Sequence, residues 1–169
     1  AMDFDDLLVN GLRLLKEQDD ARDFYCNKFR HVLVDEYQDT NLLQAEIVDI
    51  LAGKHHNVMA VGDDFQCIYS WRGADFRNIM EFPKRWPDCQ IVRLERNYRS
   101  APEILNVANA CIKGNPEQFQ KTLRPTRPSA GKPTVFSLRN GEEQAQTVLS
   151  MILRYKELGY RLRDMAVLY

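Results

Sequence analysis

Two adjacent carboxylates, Asp35 and Glu36, follow directly on the apolar run Val32-Leu33-Val34. An apolar triplet of this kind reads as a buried parallel strand, apolar on both faces. The carboxyl end of such a strand is where open α/β sheets place their ligands. Side chains alternate along a strand, so the two acids need not do the same job. One can hold a hydrated Mg²⁺ while the other orients or deprotonates a water attacking a phosphate. Acidic residues also close strands simply because the chain returns to solvent, and the pair alone does not separate these readings.

Two further segments bear on that choice. In Val61-Gly-Asp-Asp-Phe-Gln-Cys-Ile-Tyr-Ser-Trp-Arg-Gly-Ala74, Gln66 lies just past a strand, where a polar side chain can sense a γ-phosphate or a water. Tyr69, Trp71 and Arg72 bring two aromatics and a cation together beside Gly73. Exposed aromatics stack on unpaired bases without sequence preference, whereas the bland alternative makes Ile68, Tyr69 and Trp71 ordinary core. In Arg93-Leu-Glu-Arg-Asn-Tyr-Arg-Ser100, Arg99 falls between a strand end and a helix start, a natural place for an anion. Tyr98 beside it suits stacking on a base, or equally a packed phenol.

These residues need a sheet and helices to position them. Helical spacing runs through Phe4, Leu7, Leu8, Leu12 and Leu15 with Asp3 as N-cap, and Asp19 begins a less regular connection. A helix capped by Thr40 or Asn41 runs to Gly53, Val58 to Val61 is a second strand, and a short helix over 76–82 stops at Pro83. Ile91 to Leu94 is a third strand. Ser100-Ala-Pro-Glu103 reads as a capping box opening a helix to Gly114. Residues 115–133 hold Pro116, Pro125, Pro128 and Pro133 and read as a loop. Thr134 to Leu138 and Met165 to Tyr169 are expected strands, with a helix opened by Asn140 between them. The last of these strands is expected to be cut short where the sequence ends.

Composition sets the outer limits. With 44% hydrophobic and 28% charged residues, the chain has the balance of a soluble globular protein, and no apolar run approaches membrane-spanning length. The four scattered cysteines and three histidines show no metal-ligand spacing and fit a reducing cytoplasm. The net charge of −1 hides an asymmetry: residues 1–71 carry 6 Lys/Arg against 14 Asp/Glu, and residues 72–139 carry 13 against 6. A basic middle suits a polyanion such as nucleotide phosphates or a nucleic-acid backbone, or is merely a solvated surface.

Taken in order, VDEYQDTN, VGDDFQCIYSWRGA and RLERNYRS resemble motifs II, III and IV of UvrD/Rep-type superfamily 1 DNA helicases, over essentially the whole chain. The resemblance implies an α/β, RecA-like P-loop NTPase fold, a parallel sheet flanked by helices. Residues 1–99 would be the C-terminal part of a first RecA-like domain, and residues 100–169, with the loop 115–133, the beginning of a second. It implies ATP and Mg²⁺ as cofactors, with Asp35 supporting Mg²⁺ and Glu36 activating water. Gln66 would couple the γ-phosphate to DNA, Tyr69 and Trp71 would stack single-stranded DNA, and Arg72 would join that platform to the ATP cleft. Arg99 would reach the γ-phosphate, Tyr98 the adenine, and Gln38 the neighbourhood of the nucleotide.

No G-x-x-x-x-G-K-[ST] loop occurs in the sequence. The expectation is therefore a fragment of an ATP-dependent 3′-to-5′ DNA helicase, inactive by itself. Its missing Walker A half and the remaining second-domain motifs would then be needed as partners. An uncovered edge and an uncovered apolar face at Val32–Val34 are expected to invite strand-swapped self-association or to leave the piece poorly stable. The alternatives are a non-catalytic module that binds single-stranded DNA or a partner, and the motor of a helicase–nuclease complex.

Overall fold

The computed structural model describes residues 2–169. The described residues up to Ala130 form one compact unit, and Gly131–Tyr169 form another.

The first unit opens with α1 (Phe4–Glu17), whose start is fixed by a reciprocal capping box between Asp3 and Asp6. Leu12 and Leu15 are its buried face. The expected irregular connection is instead a second helix, α2 (Asp19–Lys28), with acidic residues in its first turn and Lys28 in its last, matching the helix dipole. Strand β1 (Val32–Val34) then leads to α3 (Leu42–Ala52), capped by Asn41 with Gln44 reciprocating. Strand β2 (Val58–Ala60) pairs in parallel with β1, Val32 opposite Val58 and Val34 opposite Ala60. The connection through α3 is what a parallel pair requires.

The core gathers Tyr37, Ala45, Ala52, Ile79, Phe82 and Trp86, with Val32, Val34, Val58 and Ala60 packed against it. Leu33 and Met59, which alternate with those residues, are 70% and 54% exposed. The strand read as apolar on both faces thus has, within the described residues, one face covered and the other open, as the expected uncovered apolar face at Val32–Val34 requires. α4 (Arg77–Met80) and α5 (Phe82–Arg85) replace the single helix expected before Pro83. Pro83 sits in the first turn of α5, where its missing N–H costs nothing.

β3 (Arg96–Asn97) and β4 (Arg124–Pro125) form a second parallel pair. The strand expected over Ile91–Leu94 does not form, since it finds no partner ladder, and pairing begins only at Arg96. Helix α6 (Pro102–Ile112) lacks the expected capping box. Pro102 at the first helical position holds Ala101 extended and makes it the N-cap, so Ser100 and Glu103 are out of register for reciprocal bonds. Glu103 instead accepts hydrogen bonds from the Ser129 hydroxyl and the Ala130 N–H. In the second unit α7 (Gly141–Glu157) begins at Asn140, as expected. Residues 134–138 and 165–169 are not strands, because neither run meets a partner strand. No described helix is long and apolar enough to cross a membrane.

Candidate functional site

The end of β1 is built as a bulge. Val61 donates to the Val34 carbonyl at 2.8 Å and accepts from the Tyr37 N–H at 2.9 Å, so Asp35 and Glu36 are looped out opposite one residue of the neighbouring strand. Glu36 sits at φ 50°, ψ 43°, a left-handed conformation costing a non-glycine residue roughly 1–3 kcal/mol. The consequence is visible in burial: Asp35 and Glu36 are exposed, while Tyr37 and Gln38 turn inward at 0% and 1% exposure. One tetrapeptide thus faces solvent with its acids and anchors itself with the next two side chains.

Gln38 spends both ends of its amide. Its Nε2 donates to Glu36 Oε2 at 2.8 Å, and its Oε1 accepts from the Asp63 N–H at 3.0 Å. Gly62 makes room for this: a Cβ there would stand 2.6 Å from Gln38 Oε1 and 2.6 Å from Ile79 Cδ1. Asp63 in turn accepts from the Phe65 N–H at 3.1 Å and from Gln66 Nε2 at 2.8 Å. An unbroken run of hydrogen bonds therefore leads from Glu36 through Gln38 and Asp63 to Gln66.

Beyond Gln66 the chain turns through Ser70–Arg72, closed by Gly73 at φ 82°. Trp71 is 73% exposed and Tyr69 36%, with ring centroids 6.3 Å apart. The Arg72 guanidinium lies 4.6 Å from the Trp71 ring and 5.3 Å from the Tyr69 ring. Tyr98 and Arg99 are exposed on the turn after β3, where Asn97 Oδ1 accepts from the Arg99 N–H at 2.9 Å. Among the described residues, no hydrogen bond or ion pair joins the Tyr98 or Arg99 side chain to the Glu36–Gln66 run.

The described residues contain no cluster of three or more acids, histidines or cysteines able to hold a metal. The donor set still fits Mg²⁺, which is commonly held by one or two carboxylates together with waters and substrate phosphates. Asp35 offers such an oxygen: its Oδ1 accepts from the Glu36 N–H at 3.0 Å, and the carboxylate is exposed.

Sequence reasoning missed Lys121. Its Nζ donates to Asp63 Oδ1 at 2.6 Å and Asp64 Oδ1 at 3.0 Å, with its side chain only 12% exposed, and stands 4.1 Å from the Phe65 ring centroid. The Phe119 N–H adds a 2.8 Å bond to Asp64 Oδ2. The signal was the pair Asp63-Asp64 itself: a buried carboxylate such as Asp64 needs a cation, and the cation comes from the proline-rich stretch read as a loop. Burial pushes the Asp63 carboxyl up, but hydrogen bonds from Lys121, Gln66 and the Phe65 N–H outweigh it and leave it below 3.8. Burial likewise pushes the Lys121 ammonium down, and its bonds to Asp63 and Asp64 outweigh that and hold it above 10.5.

The sign follows for each partner. A lowered carboxyl stabilises the fold above its unfolded value and loses that contribution as pH falls through the folded one. A raised ammonium contributes below 10.5 and loses its contribution as pH rises through the folded value. The stability gap between wild type and Lys121→Met is expected to be full between about pH 5 and pH 9 and to shrink below about pH 4. Urea unfolding across that range measures it, and a gap unchanged at low pH would contradict the assignment.

Comparison with known proteins agrees with the motif order. Residues 1–87 match the UvrD/REP helicase N-terminal domain, and residues 92–169 match the UvrD-like helicase C-terminal domain. The chain belongs to the UvrD/Rep helicase family. It is 40% identical over 169 residues to the ATP-dependent DNA helicase PcrA of Staphylococcus aureus (strain Mu50) and 39% identical to that of Staphylococcus epidermidis (strain ATCC 12228). Each match takes in 100% of this chain and 23% of the relative, so the chain spans about a quarter of the length of the curated relatives it matches.

Proposed function

We propose that the chain is part of the motor of an ATP-dependent DNA helicase that moves 3′ to 5′ on single-stranded DNA. The observation that carries this is the hydrogen-bonded run Glu36–Gln38–Asp63–Gln66, which leads from the acid pair toward the exposed Tyr69–Trp71–Arg72 turn. In this reading the fold is RecA-like, with residues 1–99 in the first helicase domain and 100–169 opening the second.

The roles follow from what each side chain offers. Asp35 would hold Mg²⁺ through its exposed carboxylate, where the cation would supply neutralisation of charge on phosphate oxygens. Glu36, kept in place by Gln38 Nε2, accepts the proton of the attacking water. Arg99 stabilises charge on the transferred phosphoryl group, and Tyr98 packs on the adenine. Gln38 acts near the nucleotide through Glu36, and Gln66 relates phosphate occupancy to the DNA turn. Single-stranded DNA stacks on Tyr69 and Trp71 while Arg72 answers its phosphates.

The 169 residues contain no phosphate-binding G-x-x-x-x-G-K-[ST] loop. Without it, positioning and electrostatic stabilisation are lost together, and this polypeptide alone is expected to show no ATP turnover above a Glu36→Gln control. In the full-length protein carrying the sequence, Glu36→Gln should lower DNA-stimulated hydrolysis by roughly 10²–10⁴-fold, the usual contribution of a general base. Undiminished turnover in that variant would sink the assignment. A second reading, DNA binding without hydrolysis, is favoured by the exposed Trp71 alone; salt-dependent oligo(dT) binding with no hydrolysis in the full-length protein would select it.

A further inference from the structure

The segment 115–125 lies within the part of the chain that matches the helicase C-terminal domain, yet its side chains reach back to the turn that carries Gln66. Three contacts make the connection. Lys121 Nζ sits between Asp63 and Asp64, the Phe119 N–H binds the second oxygen of Asp64, and the Lys121 ammonium lies over the face of Phe65. Both oxygens of Asp63 are thereby taken, Oδ1 by Lys121 and the Phe65 N–H, Oδ2 by Gln66. The Asp63 N–H is held from the other side by buried Gln38.

We propose that Lys121 is a positioning residue for Gln66, acting through Asp63, so that segment 115–125 sets the geometry linking the acid pair to the aromatic turn. The physical case rests on geometry and burial. A carboxylate that accepts from three donors has one orientation in which all are satisfied, and removing the strongest donor frees it to rotate. Gln66 Nε2 has its hydrogen bond to that carboxylate and would move with it. Asp64, with a side chain 3% exposed, would keep only the Phe119 N–H as a partner, an added reason for the turn to rearrange. A buried ion pair is weak evidence for stability as such, so a role in fixing one geometry is the better account of an ammonium placed at the hub of this turn.

The proposal deepens the helicase reading and rests on it for the consequence in turnover, but its structural core is tested independently. Lys121→Met, Lys121→Arg and the exposed-surface control Lys132→Met are compared in the full-length protein carrying the sequence. The first measurement is amide hydrogen exchange. Lys121→Met should speed exchange over residues 65–73 at least tenfold more than over α3, the excess should be reversed at least in part by Lys121→Arg, and Lys132→Met should change nothing. The second is ATP hydrolysis with and without oligo(dT). Lys121→Met should cut the DNA-stimulated part at least tenfold and leave unstimulated turnover within twofold. Unchanged exchange over 65–73 overturns the proposal whatever the turnover. So does a parallel loss of stimulated and unstimulated rates that arginine does not restore. If the unsubstituted protein shows no DNA-stimulated turnover, the helicase reading fails, and the exchange result alone decides the role of Lys121.

Discussion

Replacing Tyr37 by alanine is expected to destabilise the first unit by about 3–5 kcal/mol, the usual cost of truncating a buried aromatic. Tyr37 has no exposed surface, and its ring meets Phe82 edge-on at 5.3 Å between centroids. Its hydroxyl accepts from Arg85 Nη2 at 2.7 Å. Arg85 Nη2 also reaches the Asn78 carbonyl, and Nε stands 3.3 Å from Asp49 Oδ2 as an ion pair without hydrogen-bond alignment. Losing the phenol therefore opens a cavity and removes one of few partners from a half-buried guanidinium. A stability of 5–15 kcal/mol is usual for a domain, so a loss of this size is a large fraction of the whole. Urea unfolding monitored by circular dichroism measures it. Tyr37→Phe should lose only about 1.5–3 kcal/mol, the range for a hydrogen bond to a charged group. A Tyr37→Ala protein as stable as the parent would mean that the core is centred elsewhere. The position matters for function because Tyr37 directly follows Glu36: any loss of activity in Tyr37→Ala must be read as loss of the bulge that presents Glu36.

That adjacency shows what could be read in advance. Asp35, Glu36, Gln66, Tyr69, Trp71 and Arg72 could be singled out as candidates because residue type and chain order suggest their chemistry, whereas β1, β2, α3 and the caps at Asp3, Asn41 and Asn140 were legible from local pattern. The missed strands, the bulge and the Lys121 contact share one physical origin, long-range partners. Strands are made by partners, and the apolar runs at 91–94, 134–138 and 165–169 look like strands without having a ladder to join. The bulge at Asp35-Glu36 depends on Val61 bonding across to both Val34 and Tyr37, which no spacing in the sequence records. Lys121 is the same case for charge. Its partners lie 57 and 58 positions away, and nothing local in a proline-rich stretch marks it. Gln38 was legible as a motif residue, whereas the two bonds its amide makes were not.

Trp71→Ala is expected to weaken oligo(dT) binding by about 5–150-fold, corresponding to the loss of one base stacked at roughly 1–3 kcal/mol. The alternative reading of Trp71 as core fails on exposure: an indole 73% exposed contributes little packing, so the same substitution should leave folding stability within about 0.5 kcal/mol. Arg72 gives the platform its second property. Its guanidinium sits 4.6 Å from the Trp71 ring, where it favours the ring face and still carries a charge to offer a phosphate. Arg72→Ala should therefore reduce the slope of log affinity against log salt by about 0.7, the value for one phosphate contact on a single strand, whereas Trp71→Ala should leave that slope unchanged. Trp71→Phe should fall between wild type and alanine, because a smaller ring still stacks. Fluorescence anisotropy with labelled oligo(dT) at several salt concentrations reads all of these. Equal affinities for wild type and Trp71→Ala would remove the turn from the DNA site. Equal salt slopes for wild type and Arg72→Ala would leave the stacking intact but assign the phosphate contact to another of the basic residues between 72 and 139. The two substitutions thus separate stacking from charge on neighbouring side chains, a distinction that the crowding of Tyr69, Trp71 and Arg72 into one turn would otherwise hide.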